Sequence, residues 1–171
     1  MNGLLLAFLV FTGCDSAADD IARNLTSENP VVREDSAKVA KNFGTEAVIQ
    51  GLIGALNDPS ENVRINSLNS LAELSANQAV PDILQLLETE TSATVQRQIV
   101  DALGRLQDER AVQALITFIE NSPPDSPPLD AIWALGFIGH MDALPLLSLL
   151  RDSTDPYVSW NATVALKNLR P

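Results

Sequence analysis

The sequence contains one histidine, His140, and one cysteine, Cys14, so it has few of the side chains that hold metals or attack substrates. A metal site needs three or four convergent ligands, and a Ser/His/Asp triad needs a histidine held between two partners. His140 lies in a predicted turn between two helices, where we interpret it as a solvated turn residue. We therefore expect no catalytic residue, no metal and no cofactor, and predict that the protein is not an enzyme.

Cys14 follows an apolar segment, residues 4–11, and two small residues. A short apolar run that ends in small residues is typical of an export signal. The stretch Phe11-Thr12-Gly13-Cys14 resembles the lipobox of bacterial lipoproteins. This resemblance implies that residues 1–13 are removed as a signal peptide and that Cys14 carries acyl chains such as palmitate, with residues 14–28 as a tether or leading helix. The alternative is a buried N-terminal helix with a packed cysteine thiol.

The lipobox resemblance implies a location in the bacterial cell envelope, lipid-anchored and facing the periplasm or the exterior. A cytoplasmic protein is the alternative. After the leader, no apolar run reaches the roughly 18 residues of a transmembrane helix, so we expect membrane contact through the lipid anchor only.

The chain is acidic, with 22 acidic and 11 basic residues and a formal net charge of −11. Phosphate backbones are bound by clustered lysine and arginine, so we expect no nucleic-acid partner. The hydrophobic fraction of 46% is high enough to build a core and argues against disorder.

A repeat runs through the rest of the sequence. Ala47, Ala79, Ala111 and Ala143 are equally spaced along the chain, and each opens a short apolar segment. In front of these segments apolar residues recur at spacings of three and four, which indicates amphipathic helices. The constant period therefore predicts a series of helix pairs.

The stretch from Asp58 to Arg64, followed by Ser70-Leu71-Ala72-Glu73-Leu74 and by residues 79–87, resembles a HEAT repeat of the short, phycobilisome-lyase type. The resemblance implies an all-α fold, a right-handed α-solenoid of antiparallel helix pairs, over residues 29–169. The predicted repeats and the terminal half-repeat are 29–58, 59–90, 91–122, 123–152 and 156–169.

The fourth repeat departs from the others because Trp133 and Phe137 occupy positions that are mostly polar elsewhere. They are four residues apart and therefore share one helix face. Either they form an exposed patch that binds a partner, or the proline-rich loop 121–128 covers them. Tyr157 and Trp160, on the last helix, are further partner-binding candidates.

The second helix of each pair lines the concave side of HEAT solenoids, where partners commonly bind. Its predicted solvent-facing positions are polar, which suits either a polar protein surface or plain solvation. The candidates are Gln50, Gln78, Asp82, Gln85, Arg110 and Gln113.

Arg33, Arg64 and Arg97 lie near equivalent places at the start of the first helix of their repeats. They could form a basic stripe for a partner. We favour structural bonds to the acidic turn of the preceding repeat, such as Asp58 with Arg64.

These observations predict a non-catalytic adaptor or scaffold, tethered to a bacterial membrane as a lipoprotein, that binds a protein partner of unknown identity. Two alternatives stay open. One is an accessory subunit of a chromophore lyase or another enzyme, and the other is a soluble cytoplasmic adaptor.

Overall fold

The structure is a computed structural model that describes residues 12–123 and 126–170, with the backbone alone for residues 12–16. The predicted signal peptide lies outside the described residues except for Thr12 and Gly13, and so does the side chain of Cys14. Among the described helices, none combines the length and apolar character needed to cross a bilayer.

The described elements are helices, apart from one isolated bridge between His140 and Arg170, so the predicted all-α class is confirmed. Short 3-10 helices precede or follow several of the α-helices. The α-helices are α1 (Thr12–Asn24), α2 (Pro30–Val39), α3 (Glu46–Ala55), α4 (Glu61–Glu73), α5 (Val80–Thr89), α6 (Ala93–Leu106), α7 (Val112–Glu120), α8 (Leu129–Ile138), α9 (Leu144–Arg151) and α10 (Pro156–Asn168).

Helix starts follow from capping side chains that the sequence places at the predicted breaks. Asn29 accepts a hydrogen bond from the Val31 N–H at the start of α2, and Thr45 accepts one from Val48 at the start of α3. Asp155 accepts from the first N–H groups of α10. Each cap satisfies donors that have no partner within the helix.

The chain divides into two compact units, and the division falls within α4. Unit 1 runs up to Ser70 and unit 2 from Leu71 onward. In unit 1, α1 packs against α2 and α3. Ala18, in α1, and Leu25, directly after it, are buried at 2% and 3% exposure, so the described side chains of this segment include packed ones.

In unit 2, helices α6, α8 and α10 approach one another closely through small residues. A Cβ added at Gly104 would lie 3.0 Å from Ala134, and one at Gly136 would lie 2.8 Å from the Cα of Ala165. Large side chains fill the interior, among them the fully buried Leu103, Leu115, Leu135 and Leu147. The close spacing determines which surface side chains of neighbouring helices can touch.

Three helices, α4, α6 and α8, are each followed by a residue in the left-handed conformation. Ser75, Gln107 and Gly139 have φ values of 51°, 52° and 73°, and they are equally spaced along the chain. The N–H groups of Gln107 and Gly139 then bond to carbonyls one turn back, at Leu103 and Leu135. The same turn is thus built three times, and glycine, the residue best suited to it, occurs once.

Candidate functional site

Three aromatic side chains of unit 2 form a continuous exposed patch, which we call the ring surface: Trp133, Phe137 and Trp160. They are 37%, 53% and 58% exposed. The Trp133 ring lies 5.8 Å from Phe137 and 6.1 Å from Trp160, centroid to centroid. Both contacts are tilted, in the distance range of favourable aromatic pairs.

The ring surface contains side chains from two helices, α8 and α10, because these helices pack closely together. Trp133 and Phe137 are on one face of α8, as their spacing predicts, whereas Trp160 comes from α10. The contact between Gly136 and Ala165 brings these helices together. Gly104 and Gly136 occupy the same place in successive repeats, and this recurrence is the sequence signal that could have indicated the approach.

A groove between α6 and α8 adjoins the ring surface, with a volume of about 430 Å³. Trp133 and Phe137 line it on the α8 side, and Val100, Gly104 and Ala134 also contribute. At the floor of the groove the two helices are in close contact, because a Cβ at Gly104 would lie only 3.0 Å from Ala134.

Charged side chains surround this groove. Arg97 lies 3.2 Å from Asp130, and Arg105 lies 3.2 Å from Glu73 and 3.5 Å from Asp101. All of these side chains are at least 35% exposed, so each ion pair contributes little to folding stability. The pairs can therefore exchange partners at small cost.

The described residues of the proline-rich loop leave the rings exposed. Pro127 is buried and Pro128 half-buried, while residues 124 and 125 lie outside the described part of the chain. The described loop residues still leave Phe137 more than half accessible. Tyr157, at the start of α10, is 73% exposed.

The predicted concave-face residues do not all lie where the sequence suggested. Gln50, Gln85 and Gln113 are exposed on α3, α5 and α7, and Asp82 is half-buried near the start of α5. Gln78 and Arg110, expected on helices of this face, instead lie in the 3-10 turns Asn77–Ala79 and Glu109–Ala111.

Arg110 has a structural role in its turn. Its guanidinium donates to the Asp108 carboxylate at 2.6 Å and to the Asn77 carbonyl at 2.7 Å. The bond from Arg110 lowers the pKa of Asp108 despite the opposing effect of burial. These bonds hold two successive turns together.

His140 also lies in a turn, as predicted. Its Nδ1 accepts a hydrogen bond from the Asp142 N–H at 3.3 Å and so caps the 3-10 helix Met141–Ala143. Within the described residues, no group of three His, Cys, Asp or Glu side chains is placed to hold a metal ion.

Two of the three arginines at helix starts make the structural bonds that we favoured. Arg33 donates to the carbonyl of Ser27, and Arg64 donates to that of Asp58, each at 2.7 Å and six residues back. The prediction for Arg97 is wrong. In its repeat Gln96 makes the equivalent bond, donating to the Glu90 carbonyl six residues back. Arg97 lies one residue after the equivalent position, and its side chain is 78% exposed.

Arg33 and Asp58 also form a buried ion pair in unit 1. The Arg33 Nε and Nη2 atoms donate to the two Asp58 oxygens at 2.5 and 3.0 Å, and the two side chains are only 13% and 6% exposed. Burial opposes ionisation of Asp58, but the bonds from Arg33 and the Ser60 N–H outweigh it and lower the pKa of this carboxyl.

Comparisons with known proteins agree with the helical-repeat architecture. Residues 49–127 match the model of the family described as HEAT repeats. The uncharacterized phycocyanin operon protein Z of Pseudanabaena tenuis is 28% identical over 114 residues, which are 62% of this chain and 56% of that protein. The chain therefore spans little more than half the length of this relative.

Solved structures share the fold. The complex of CpcE and CpcF of the phycocyanin lyase from Nostoc sp. PCC7120 contains a chain that matches with a TM-score of 0.75 at 24% identity, covering 99% of this chain and 67% of that one. A designed armadillo repeat protein, in complex with the peptide (KR)4, matches with a TM-score of 0.66 at 18% identity over 91% of this chain and 82% of the other. The chain thus has the fold of HEAT- and armadillo-type α-solenoids, and its central residues match HEAT repeats.

Proposed function

We propose that this chain is a non-catalytic accessory subunit that binds another helical-repeat protein, in an assembly of the kind formed by chromophore lyases. The observation that carries the proposal is the ring surface. Three large aromatic side chains exposed side by side are unusual on a chain with 5% aromatic residues. Tryptophan in particular is enriched among the residues that dominate binding energies.

The similarity to a phycocyanin operon protein, together with the fold shared with a chain of the phycocyanin lyase complex, supports the lyase class over the other enzyme classes. The CpcE and CpcF complex is an example in which a chain of this fold assembles with a partner. In the proposed assembly the partner supplies the reacting groups, and this chain supplies a rigid docking surface. We therefore favour the accessory-subunit function over a free-standing adaptor.

A pulldown with purified proteins tests this proposal. The full chain is immobilised and offered the second subunit of a phycocyanin lyase together with a phycocyanin apoprotein and bilin. We expect retention of the lyase subunit by the wild type and at least a tenfold loss with Trp133→Ala/Phe137→Ala, because these rings would be central to the contact. A visible absorbance band in the retained fraction would support the chromophore class.

Val31→Ala is the matched control, because Val31 is 62% exposed but lies in unit 1. Its binding should equal that of the wild type. Equal retention by the wild type and by a folded double variant would contradict the proposal, as would the absence of any retention by the wild type.

The lipid anchor is a separate proposal, supported by the sequence around Cys14. Under it, the protein is held at the bacterial envelope by acyl chains, and two or more chains are needed for stable anchoring. Cells expressing the wild type and Cys14→Ala are fed a labelled fatty acid. Label that depends on Cys14 supports the anchor, and wild type without label rules it out.

A further inference from the structure

We propose that His140 is a proton-operated switch between two sets of bonds at the turn that precedes α9. The neutral imidazole caps its own turn, and the protonated imidazole ties that turn to the preceding one through Glu109. The inference goes beyond the proposed function, because neither residue belongs to the ring surface.

The neutral form of His140 is the one that acts as a cap. Its Nδ1 accepts a hydrogen bond from the Asp142 N–H at 3.3 Å, so this nitrogen carries no proton and the ring proton is on Nε2. The bond satisfies a free N–H at the start of the 3-10 helix Met141–Ala143. Protonation of Nδ1 turns this acceptor into a donor and abolishes the cap.

Two carboxylates are in place to receive the protonated ring. Asp142 Oδ2 lies 3.5 Å from Nδ1, and Glu109 Oε2 lies 3.9 Å from Nε2. A protonated imidazole donates from both nitrogens, so it can bond to both carboxylates at once. Glu109 belongs to the preceding turn, so the second bond joins the turns of two successive repeats.

The pair of turns before this one has a tie of the same kind in permanent form. Arg110 donates to the Asn77 carbonyl at 2.7 Å, and arginine keeps its charge at physiological pH. The cationic group of the next turn is instead a histidine, the side chain whose charge changes between about pH 5 and 8. The tie through His140 therefore depends on pH, whereas the tie through Arg110 does not.

The charged groups that face the His140 ring come from the preceding turn, from its own turn and from the residues after α10. They are Asp108, Glu109, Arg110, Asp142 and Arg170, and all but Asp142 line one cleft of about 500 Å³ with the ring. Asp108 and Arg110 are bonded to each other, which leaves two carboxylates and one guanidinium around the imidazole. This negative excess favours the protonated ring and the cap favours the neutral one, so the proton decides which bonds are made.

NMR of the imidazole tests the switch directly, because His140 is the only histidine of the sequence. Nitrogen-15 shifts of the ring are recorded on the full chain from about pH 5 to 8.5, a range in which carboxylates stay ionised. We expect the neutral ring to carry its proton on Nε2, and the Asp142 amide signal to move with the same midpoint as the ring.

Glu109→Gln should weaken proton binding by His140 about twofold, the size expected for a pair whose side chains are 39% and 78% exposed. Glu120→Gln is the matched control, since it removes the same charge at the far end of α7 and should leave proton binding unchanged. His140→Asn keeps an acceptor for the Asp142 N–H but takes up no proton, so the movement of the Asp142 signal over this pH range should vanish.

Three outcomes overturn the inference. The first is a neutral ring protonated on Nδ1, which excludes the cap. The second is an Asp142 amide signal that ignores the titration of the ring. The third is an equal effect of Glu109→Gln and Glu120→Gln on proton binding, with circular dichroism confirming that both variants are folded.

Discussion

The buried ion pair of unit 1 and the ion pairs beside the groove of unit 2 use charged residues in opposite ways. In unit 1, Arg33 and Asp58 are buried together and bonded to the backbone of two helix starts. In unit 2, Arg97 and Asp130 pair at the surface, with 78% and 56% of their side chains exposed. There the helices are held by small residues, such as Gly136 against Ala165.

The difference shows that a protein built of helical repeats can use some residues for folding stability and leave others available for binding. A buried, fully bonded ion pair fixes local geometry, and removing either partner leaves a costly charge behind. Close packing of small residues needs no polar group, so the outer positions of α8 and α10 are free to carry aromatic rings. Three predictions test this contrast and a fourth tests the recurring turn of unit 2, in order from the largest effect to the smallest.

Gly136→Val should be the most destabilising change, because it disrupts the close contact between α8 and α10 in unit 2. The added Cβ would lie 2.8 Å from the Ala165 Cα and 2.9 Å from its Cβ, so α8 and α10 must separate. We expect a loss of about 3 kcal/mol in the free energy of unfolding, measured by urea denaturation. Gly54→Ala is the control, since its Cβ meets nothing within 4 Å, and it should stabilise α3 slightly. Equal behaviour of the two variants would contradict the role assigned to Gly136.

Asp58→Ala should be the second most destabilising change, because it removes the buried ion pair of unit 1. Asp58 accepts from the Ser60 N–H at 2.8 Å as well as from Arg33. Losing a capping bond and a charge-assisted bond together should cost about 2 kcal/mol. Asp130→Ala breaks the exposed pair of unit 2 and should change stability by no more than about 0.5 kcal/mol. If both variants were equally destabilised, the contrast between the units would be wrong.

Lowering the pH should reduce the stability that the buried Asp58 carboxylate contributes. The folded-state pKa of Asp58 is lowered from 3.8, so its contribution is present above the unfolded-state value and is lost as pH falls below it. The stability difference between the wild type and Asp58→Asn should therefore shrink from about pH 5 downward. Denaturation at a series of pH values measures it, and a difference that is constant down to about pH 2 would refute the coupling to Asp58 ionisation.

Gln107→Gly should give the smallest effect, and a stabilising one. Gln107 adopts a φ of 52°, the conformation that glycine takes at the matching turn residue Gly139. Relief of this strain should add about 0.5 kcal/mol, visible as a small rise in Tm. The reverse change, Gly139→Ala, should lower Tm, because its Cβ would lie 2.8 Å from the Asn168 carbonyl oxygen. A fall in Tm with Gln107→Gly would show that its side chain matters more than its backbone.

Sequence reasoning was accurate where period and helix geometry decide the outcome. The constant repeat spacing predicted the helix pairs, and the positions of Trp133 and Phe137, one helical turn apart, predicted their shared face. It failed where one residue of register matters. The constant spacing of the repeat alanines, counted from Arg64, leads to Gln96, and matching by residue type instead places Arg97 in a position that Gln96 occupies.

The sequence by itself determined that the chain is helical, repetitive and acidic, since these properties depend on composition and on spacing along one chain. Only the tertiary structure decided that Trp160 joins Trp133 and Phe137, and that Asp58 is buried with Arg33. The physical reason is distance. Helical periodicity orders residues within one turn or two, whereas contacts between helices depend on how closely their backbones pack, which here is governed by small residues such as Gly136 and Ala165.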